Sequence, residues 1–465
     1  MTEQKTLIMK FGGTSVGSAD ALRRTARIVR DSRRDWDRIV VVTSAMAGVT
    51  NLLLDSANHP VGAPDAERSL REKHFSAAEA LIQNKTTLAE TIREIEGLIQ
   101  IFVKLCDSIQ VLGAGSPRAL DTIAALGERM SLRLLTATLN DAGIAAQGVE
   151  ATEFLVTNSN FQNACPDFNA TRKKTRALLN PALDAGNIFV TTGFIGANAD
   201  GAVTTLGRGG SDYSAAIIGS VLPADEVWIW TDVDGVMTTD PRMVTSAKTL
   251  SEISYGEIAE LAYYGAKVLH PKTIRPIVEA GIGLRICNTF NPAQEGTRLT
   301  AARKKSKRVI KAVTAIQKQR LVTIEGRGMV GVPGMAALAF GAVTSTKTNV
   351  PLITQASSEQ SICFAVPSET AEDVLNALKT TFAHELEESK IDKVWSTNDV
   401  SIVTVVGAGM RSASGVAGGI FSRLGEYGIN VLAVAQGSSE VSISVVVNAN
   451  DTENAVKSLH ELIVH

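Results

Sequence analysis

The sequence has few cysteines, no long apolar run and almost no net charge. Its four cysteines are far apart and form no Cys-x-x-Cys pair, which is typical of reduced core residues in a cytosolic protein. No run approaches the roughly 20 apolar residues that cross a bilayer, and the N-terminus lacks a basic-then-apolar leader. A formal net charge of −2 provides no basic surface for nucleic acid. We therefore expect a cytoplasmic globular protein with no nucleic-acid or membrane partner.

Two common nucleotide-binding motifs are also missing. No Gly-x-x-x-x-Gly-Lys-[Ser/Thr] segment occurs, which excludes a P-loop enzyme. Val405–Gly409 begins like a dinucleotide fingerprint, but Ser412 stands where the third glycine belongs. The same turn recurs at Gly326–Gly328, where no nucleotide domain follows, so we interpret both as structural turns.

An anion-binding pattern stands near the start of the chain. Lys10-Phe11-Gly12-Gly13-Thr14-Ser15 directly follows the apolar run Leu7–Met9. Glycines let the backbone approach an anion closely, and a helix N-terminus presents unpaired N–H groups to it. The lysine adds a full positive charge at the same place. The segment predicts a phosphate site, although similar turns in other α/β proteins bind nothing.

Up to about residue 300, predicted strands alternate with predicted helices. This indicates a largely parallel sheet covered by helices on both faces, with ligands beyond the carboxyl ends of the strands. Lys10, Ser44, Gly193 and Asp232 fall at such ends, so we expect them around one crevice. The predicted strands are 38–43, 187–192, 226–230 and 283–287, and the predicted helices are 20–31, 66–83, 87–112, 121–141, 170–185 and 211–221.

The last third of the chain contains an internal repeat. Leu321–Val366 aligns without gaps on Ile402–Val447 at an offset of 81 residues, and the strongest shared block begins at Gln355 and at Gln436 with Gln-x-Ser-Ser-Glu. Each copy has the pattern of a ferredoxin-like βαββαβ unit. The basic run 303–308 before the repeat is interpreted as a solvated interdomain linker in preference to an anion site.

The repeat predicts that one module is inserted in the other. The first copy has a final strand available near Ile391–Ser396, whereas the second has none, and Val309–Ile316 precedes the first copy as an unused strand. We therefore expect Val309–Ile316 to complete the sheet of the second copy. The predicted domains are a catalytic domain at 1–302, a first module at 318–396, and a second module at 306–317 and 397–465.

Three further segments carry residues suited to charged ligands. In the first, Leu206–Ser214, glycines surround Arg208, whose guanidinium is able to clamp a carboxylate in bidentate fashion. Asp212 in the same segment has helix capping as its ordinary role. Lys267 lies on a predicted helix, where a solvated lysine is the ordinary interpretation. The other two segments are Trp230–Arg242, a strand that runs into a turn dense in carboxylates, and Tyr264–Pro271, which contains Lys267.

Taken in order, these segments resemble those of aspartate kinases of the amino acid kinase family. The paired repeats resemble the two C-terminal ACT modules of that family, so the resemblance covers essentially the whole chain. It implies an α/β fold with an amino-acid-kinase-type, largely parallel sheet sandwiched by helices, plus two ferredoxin-like ACT modules. The matching segments are KFGGTS, VTSAMAGVTN, GERMS, GRGGSDYSA, WTDVDGV, TTDPR and YGAKVLHP.

The resemblance implies phosphoryl transfer from MgATP to the β-carboxylate of L-aspartate, the first step towards lysine, threonine and methionine. A carboxylate with an ordinary pKa near ~3.9 is ionised at neutral pH, so catalysis needs positioning and charge stabilisation but no general base. The implied catalytic residues are Lys10, Asp212 and Lys267; the implied aspartate-binding residues are Ser44, Thr50, Glu128, Arg208 and Ser211; the implied nucleotide-binding residues are Lys10, Gly12, Gly13, Thr231, Asp232, Met237, Asp240, Arg242 and Lys267.

Some implied roles are more specific. Glu128 would hold the ammonium group of aspartate and Arg208 its α-carboxylate, while Gly12 and Gly13 would donate amides to the transferring phosphoryl group. Met237 stands where the family commonly has a tyrosine, so a phenol contact with the nucleotide is lost and nucleotide affinity is in doubt. Mg²⁺ is expected to be held mainly through phosphates and water.

Other functions fit parts of the sequence. The first alternative is another amino acid kinase, acting on glutamate, N-acetylglutamate, carbamate or a nucleotide; the repeats and the pair of Glu128 with Arg208 favour aspartate. The second is a catalytically inactive amino-acid sensor, which the retained Lys10 and Asp212 disfavour. Because the chain ends directly after the second repeat, we expect no fused dehydrogenase.

The repeats also predict assembly and regulation. Two ferredoxin-like units expose sheet edges that are suited to pair between subunits, so we expect at least a homodimer. Gln355 and Gln436 occupy equivalent positions, and an amide both donates to and accepts from a bound amino acid. The Gln-x-Ser-Ser-Glu pattern resembles threonine-sensitive aspartate kinases more than lysine-sensitive ones. The expected effector is L-threonine, with L-lysine as the alternative.

Overall fold

The computed structural model describes residues 4–266, 269–300, 309–355, 360–437 and 440–464. The chain forms two compact units. The first comprises residues 1–236, 251–255 and 268–301, and the second comprises residues 237–250, 256–267 and 302–465. Two segments that precede the predicted boundary at residue 302 therefore belong to the second unit.

The described residues form strands and helices as follows. The strands are β1 Thr6–Phe11, β2 Arg38–Thr43, β3 Ala146–Val149, β4 Ile188–Thr192, β5 Ile195–Ala197, β6 Val203–Thr205, β7 Glu226–Thr231, β8 Glu252–Ser254, β9 Gly283–Asn288, β10 Thr297–Thr300, β11 Ala312–Glu325, β12 Leu352–Gln355, β13 Ser361–Pro367, β14 Lys393–Ser396, β15 Val400–Val406, β16 Ala433–Gln436 and β17 Ser442–Asn448. The helices are α1 Ala19–Ser32, α2 Val49–Asn58, α3 Ala63–Leu81, α4 Lys85–Leu112, α5 Pro117–Asp141, α6 Phe168–Asp184, α7 Gly210–Val221, α8 Tyr255–Tyr263, α9 Pro271–Ala280, α10 Met335–Ser345, α11 Ala371–Thr381, α12 Ala383–Glu387, α13 Val416–Glu426 and α14 Thr452–Val464. None of these helices, over the residues described, has the length and apolar character needed to cross a membrane.

The first unit is built on an eight-stranded sheet in the order β3-β4-β2-β1-β7-β9-β10-β8. Neighbouring strands are parallel except for β9 and β10, which are antiparallel. The central strand β1 is buried along its whole length, as its apolar run Leu7–Met9 requires. The predicted α/β fold with a largely parallel sheet is therefore confirmed.

Two helices of this unit begin where the sequence supplies a capping side chain. Ser18 accepts a hydrogen bond from the N–H of Ala21 at the start of α1, and Ser116 accepts one from the N–H of Ala119 at the start of α5. Such a cap stabilises a helix by about 1 kcal/mol. Because α5 carries Glu128, its cap helps to fix one wall of the site described below.

The predicted strands and helices agree with the structure apart from small differences at their ends. The clearest omission is α2, Val49–Asn58, which the sequence pattern does not predict. The residue before it is Gly48, which has a φ of 83° and provides no capping side chain. The usual sequence signal for a helix start is therefore missing at this point.

The second unit contains an antiparallel sheet in the order β12-β13-β11-β15-β17-β16, with β14 also paired to β11. The long strand β11 serves both copies of the repeat. Ala312–Ile316 pairs with β15, and Gln319–Glu325 pairs with β13. The register shifts between these two parts, and Lys318 in between has a φ of 56°. From Ala312 onward, the segment expected to complete the sheet of the second copy thus pairs with a strand of that copy.

The two copies of the repeat have equivalent strand pairs and separate apolar cores. Gln355 of β12 pairs with Ile362, and Gln436 of β16 pairs with Ile443. One core gathers around the buried Phe364, and the other contains side chains of β15, β17 and α14. These observations confirm the ferredoxin-like pattern predicted for both copies.

Candidate active site

A cavity of about 520 Å³ opens beyond the carboxyl ends of β1 and β2 in the first unit. Its wall is formed by the loops after these strands, by α5 and by the N-terminus of α7. The structure brings together there all the predicted aspartate-binding residues and two of the predicted catalytic residues. They are Lys10, Ser44, Thr50, Glu128, Arg208, Ser211 and Asp212, with Gly13 beside them.

Lys10 and Asp212 form an ion pair in this wall. The Nζ of Lys10 lies 2.6 Å from the Oδ1 of Asp212. Lys10 is the second-to-last residue of the buried strand β1 and is 8% exposed. Asp212 lies in the first turn of α7, where the helix dipole favours a carboxylate. The pair fixes the lysine ammonium next to the glycine-rich loop, since a Cβ built on Gly12 would lie 3.5 Å from the Nζ.

The two glycines after β1 differ in what their amides do. The N–H of Gly12 donates to the carbonyl oxygen of Trp230 at 3.0 Å. This bond continues the hydrogen-bonding pattern between β1 and β7 by one residue beyond the end of β1. That amide is therefore not available to a phosphate, which corrects the donor role predicted for Gly12. The N–H of Gly13 has no partner among the described residues. Gly13 is thus the amide donor that this loop offers to the cavity.

The loop after β2 is held from two sides. The N–H of Ser44 donates to the carbonyl of Phe11 at 3.1 Å, and the N–H of Ala47 donates to the carbonyl of Gly13 at 3.0 Å. The ammonium of Lys73, on α3, donates to the carbonyl of Ala47 at 2.5 Å. Sequence reasoning missed Lys73, because it lies on a surface helix outside every motif.

Glu128 is a buried carboxylate with an unused oxygen. Its side chain comes from α5 and is 3% exposed, and Oε1 accepts a hydrogen bond from the N–H of Ala45 at 3.2 Å. Within the described chain, Oε2 has no hydrogen-bond partner. Burial raises the pKa of Glu128 to about 8, although the Ala45 amide and the charge of Lys10 act in the opposite direction. A cationic ligand in the cavity would satisfy this oxygen and restore the ionised form.

Arg208 supplies a free cation on another side of the cavity. It is exposed, and none of the described residues forms an ion pair or a side-chain hydrogen bond with its guanidinium. The neighbouring Gly209 has a φ of 71°, and a Cβ there would lie 2.8 Å from the Cβ of His270. Only glycine fits this position, so the turn that presents Arg208 depends on it.

Asp121 organises the remaining wall and was missed from the sequence. It is 2% exposed and lines the cavity. Its carboxylate accepts hydrogen bonds from the N–H of Gln162 at 2.9 Å and from both the N–H and the hydroxyl of Thr205 at 2.8 Å. Burial raises the pKa of Asp121, and these hydrogen bonds partly oppose the rise. The spacing in the sequence could have revealed Asp121. It precedes Glu128 by seven residues, which is about two helical turns, so both side chains lie on one face of α5.

Two predicted nucleotide-binding residues lie in the same unit but outside the cavity wall. Thr231 ends β7, which pairs with β1, and Asp232 follows it. The hydroxyl of Thr231 donates to the carboxylate of the exposed Asp232 at 3.1 Å. The nearby Asp234 accepts a hydrogen bond from Asn288 at 2.8 Å. These residues stand at the carboxyl edge of the sheet, next to the strand that carries Lys10, but Asp232 does not line one cavity with Lys10 and Ser44, as the sequence had led us to expect.

The other predicted nucleotide-binding residues that the structure describes, apart from those in the loop after β1, belong to the second unit. The guanidinium of Arg242 binds the carboxylate of Asp240 in bidentate fashion, at 3.0 and 2.6 Å. Met237 forms an isolated bridge with Thr249. The predicted catalytic residue Lys267 lies outside the residues that the structure describes. The predicted effector residues Gln355 and Gln436 are both exposed, at the ends of β12 and β16.

Comparisons with known families and proteins cover the whole chain. A model described as the amino acid kinase family matches residues 5–288, and a model of the ACT domain matches residues 322–382 and 403–462. Lysine-sensitive aspartokinase 3 of Escherichia coli is 33% identical over 455 residues, which cover 98% of each chain. The crystal structure of Escherichia coli aspartokinase III in complex with aspartate and ADP, in the R-state, matches with a TM-score of 0.81 and 32% identity over 99% of this chain and 100% of that one.

A second group of relatives is longer. Bifunctional aspartokinase/homoserine dehydrogenase 2, chloroplastic, of Arabidopsis thaliana is 35% identical, and the match covers 97% of this chain but 50% of that protein. The chain thus spans about half the length of the bifunctional relatives that it matches.

Proposed function

Because the chain belongs to the amino acid kinase family, and within it to the aspartokinases, we propose that it transfers the γ-phosphoryl group of ATP to the β-carboxylate of L-aspartate. This reaction is the first step in the formation of the aspartate-derived amino acids lysine, threonine and methionine. Escherichia coli aspartokinase III, which the chain resembles over its full length, has been crystallised with aspartate and ADP.

One observation carries the choice of an unmodified acidic amino acid. A cavity contains a buried carboxylate oxygen on Glu128 and a guanidinium on Arg208, neither of which has a partner among the described residues, together with the ion pair of Lys10 with Asp212. A free amino acid has an ammonium for the first, an α-carboxylate for the second, and a side-chain carboxylate that reaches towards the third. An N-acylated amino acid has no ammonium and would leave Glu128 without a partner. The cavity therefore favours an unmodified acidic amino acid.

The proposed chemistry uses these groups for positioning and charge stabilisation. The side-chain carboxylate of aspartate is already ionised, so without a base it attacks the γ-phosphorus of ATP, the bond from that phosphorus to the bridging oxygen breaks, and ADP leaves. Lys10, held by Asp212, and the amide of Gly13 would stabilise charge on the transferring phosphoryl group. Lys267 would add a second cation by its place in the family motif. Ser44, Thr50 and Ser211 would complete the aspartate contacts.

Nucleotide binding is assigned to the residues around the carboxyl edge of β7 and the turn that follows. The proposed nucleotide-binding residues in these segments are Thr231, Asp232, Met237, Asp240 and Arg242. Met237 offers a flexible thioether for packing on the base, without the hydrogen bond that a tyrosine would give.

An ATP-dependent kinase requires a divalent cation, and we propose Mg²⁺. No group of three or more His, Cys, Asp or Glu side chains able to hold a metal occurs in the described ranges. Mg²⁺ that is bound to ATP is held mainly by phosphate oxygens and water. Asp212 is the carboxylate that the family motif places where it would approach the cation.

The test of the proposed function is an ATP-consumption assay with aspartate, glutamate and N-acetylglutamate as acceptors. We expect turnover with aspartate and at least ~100-fold lower kcat/KM with the other two. Preference for N-acetylglutamate would overturn the role of Glu128, because that acceptor lacks an ammonium. Absence of turnover with every acceptor, in a protein that still binds threonine or lysine, would favour the inactive sensor.

ACT domains are regulatory modules, and we propose that this pair binds an allosteric amino acid at Gln355 and Gln436. L-threonine is the proposed effector and L-lysine the alternative, which the lysine-sensitive relative supports. Within the second unit, the second copy of the repeat is bonded to the turn that carries the proposed nucleotide-binding residues. The Nε2 of His460 lies 2.8 Å from the hydroxyl oxygen of Thr238, and the N–H of Val313 donates to the carbonyl of Thr238. An effector that moves this copy would therefore act on that turn.

The proposed domain assignment keeps a catalytic domain at 1–302, a first ACT module at 318–396 and a second at 306–317 and 397–465. The pairing of Ala312–Ile316 with β15 supports the division of the second module into two segments. We also propose that exposed edges β12 and β16 assemble subunits into at least a homodimer, because each has one partner strand among the described residues.

A further inference from the structure

A second groove in the first unit has a different character from the active-site cavity. It has a volume of about 370 Å³ and lies between α1 and the face of the sheet that carries β7. Volumes of about 300–1,000 Å³ are typical of small-molecule sites. It shares no lining residue with the cavity of Lys10 and Asp212. The residues that matter for its chemistry are Arg24, Arg27, Trp36, Trp228, Trp230 and Pro292.

Aromatic rings form one side of this groove. Trp36 and Trp228 are half-buried and meet edge to face at 5.8 Å between centroids, and Trp230 lies 6.1 Å from Trp228. The chain has four tryptophans, so most of them are gathered here. Trp230 is 4% exposed, and its indole N–H has no hydrogen-bond partner among the described residues. A buried indole N–H ordinarily has a partner, so this wall holds an unsatisfied donor. Phe11 already stacks on Trp230 at 5.9 Å, and the guanidinium of Arg285 lies 5.5 Å from the centre of the Trp228 ring. The aromatic surface left for a ligand therefore comes from the half-buried Trp36 and Trp228.

Two unpaired arginines form the other side. Along α1, Arg23 pairs with Asp20 at 2.5 Å and Arg30 pairs with Asp31 at 3.2 Å. Arg24 and Arg27 are exposed, face the groove and have no ion pair or hydrogen bond in the described part of the chain. Guanidinium groups without a carboxylate are suited to bind an anionic group in bidentate fashion and to stack on aromatic rings.

The carboxylates that line the groove do not cancel this charge. Asp31 already accepts hydrogen bonds from Arg30, and Arg34 lies 3.9 Å from it. Asp35 alone remains without an ion pair among the described residues. Two unpaired arginines, Arg24 and Arg27, therefore face one unpaired carboxylate, and the unpaired charge of the lining is positive.

From these observations we infer that the groove binds a planar aromatic anion, with its ring against the tryptophans and its carboxylate or phosphate on Arg24 and Arg27. Two sources share this chemistry, a nucleoside monophosphate and an aromatic carboxylate. The site is separate from the proposed kinase chemistry and does not depend on it.

The test uses the tryptophans as reporters in a Trp395→Phe background, so that emission comes from the groove. AMP and phenylacetate are titrated as the two aromatic anions, with ribose 5-phosphate and acetate as the matching anions without an aromatic ring. We expect a saturable change in emission with at least one aromatic anion and none with its non-aromatic counterpart. The aromatic anion that responds identifies the source.

Paired variants assign the response to the groove. Arg24→Ala/Arg27→Ala should weaken binding of the responding anion roughly tenfold or more, because both charge-assisted contacts are lost. Arg23→Ala/Arg30→Ala removes the same charge from α1 but only arginines already paired, and should change binding by about twofold or less. Aspartate kinase turnover should be unchanged in both. Absence of any saturable response, or a response that survives in Arg24→Ala/Arg27→Ala, would overturn the inference, and circular dichroism confirms that the variants are folded.

Discussion

The Nζ of Lys10 lies 2.6 Å from the Oδ1 of Asp212, and both side chains are largely shielded from water. The lysine comes from the end of a central strand and the aspartate from the first turn of a helix 202 positions later in the chain. Removing one member of a shielded pair leaves the other as an uncompensated charge. Each residue therefore depends on the other, and the position of the Lys10 ammonium depends on Asp212.

The first prediction concerns this pair. Lys10→Ala and Asp212→Ala should each lower kcat by ~100-fold or more, because a preorganised cation is lost or misplaced at the developing charge. Steady-state assays with aspartate and ATP measure the effect. Melting curves should still show one cooperative transition, since the residues line a cavity and are not part of an apolar core. Wild-type kcat in either variant would contradict the assignment.

The second prediction concerns Arg208. Arg208→Ala should lower kcat/KM for aspartate by an amount that corresponds to roughly 1.5–3 kcal/mol, the value of a lost charge-assisted hydrogen bond. The KM for ATP should change little. Arg275→Ala is the matched control, because Arg275 is an exposed arginine on α9 that is paired with Glu279 at 2.7 Å. A defect confined to ATP would place Arg208 on the nucleotide side.

The sequence predicted the strand ends that carry the site, and the reason is physical. Parallel strands that are covered on both faces are continuous apolar runs, and the residues that follow them must meet at one edge of the sheet. Lys10 and Ser44 could be found in this way, whereas the Gly207–Asp212 loop follows β6 of a separate antiparallel pair and was found from its glycines around Arg208. The use of the Gly12 amide could not, because it depends on which strand pairs with β1.

Other parts of the site leave weaker traces in a sequence. Asp121 and Lys73 act through hydrogen bonds to backbone groups, and these partners are distant in the chain and carry no residue signature. The division of β11 between two copies of the repeat was accessible, because counting strands left one copy a strand short. The assignment of 237–250 and 256–267 to the second unit was not, because no change of composition marks those boundaries.

The third prediction is a pH dependence that arises from Glu128. Burial raises the pKa of its carboxyl to about 8, so the free enzyme holds it largely neutral at pH 7. The ionised form is the one that binds an ammonium. KM for aspartate should therefore fall as pH rises from 6.5 towards 8, and Glu128→Gln should remove this dependence while raising KM. A pH-independent KM in the wild type would contradict the proposed contact.

The same shift has a consequence for stability. The pKa of Glu128 is raised in the folded state, so folding keeps a proton that the unfolded chain releases above its ordinary pKa of 4.5. The contribution of this group to stability is therefore greatest below pH 4.5 and is lost as pH rises to about 8. Relative to the wild type, Glu128→Gln should gain stability as the pH of a denaturant titration is raised from 5 to 9.

The fourth prediction concerns Asp121 as a positioning residue. Asp121→Asn keeps the shape of the side chain but replaces an acceptor by a donor that faces the N–H groups of Gln162 and Thr205. We expect a loss of about 1–3 kcal/mol in unfolding free energy and a rise in KM for aspartate, with KM for ATP nearly unchanged. Thr205→Ser, which keeps both hydrogen bonds to Asp121, is the control. Equal changes in the KM values of both substrates would indicate a general loss of structure.

The last prediction concerns the effector. Gln355 and Gln436 end equivalent strands, so each should hold one effector molecule, and inhibition should be relieved by changing either. We expect L-threonine to inhibit the wild type. Gln355→Ala and Gln436→Ala should each raise the L-threonine concentration that gives half-maximal inhibition roughly fivefold or more, because allosteric coupling typically changes affinity by at least that factor. Titrations with L-threonine and L-lysine, separately and at fixed aspartate, measure this. Gln317→Ala is a matched control in β11, outside the repeated block.

Inhibition by lysine alone would select the alternative effector. Insensitivity of the wild type to both amino acids, or unchanged inhibition in both variants, would leave the repeats as an assembly module, because an effector acts only through a difference in its affinity for two states.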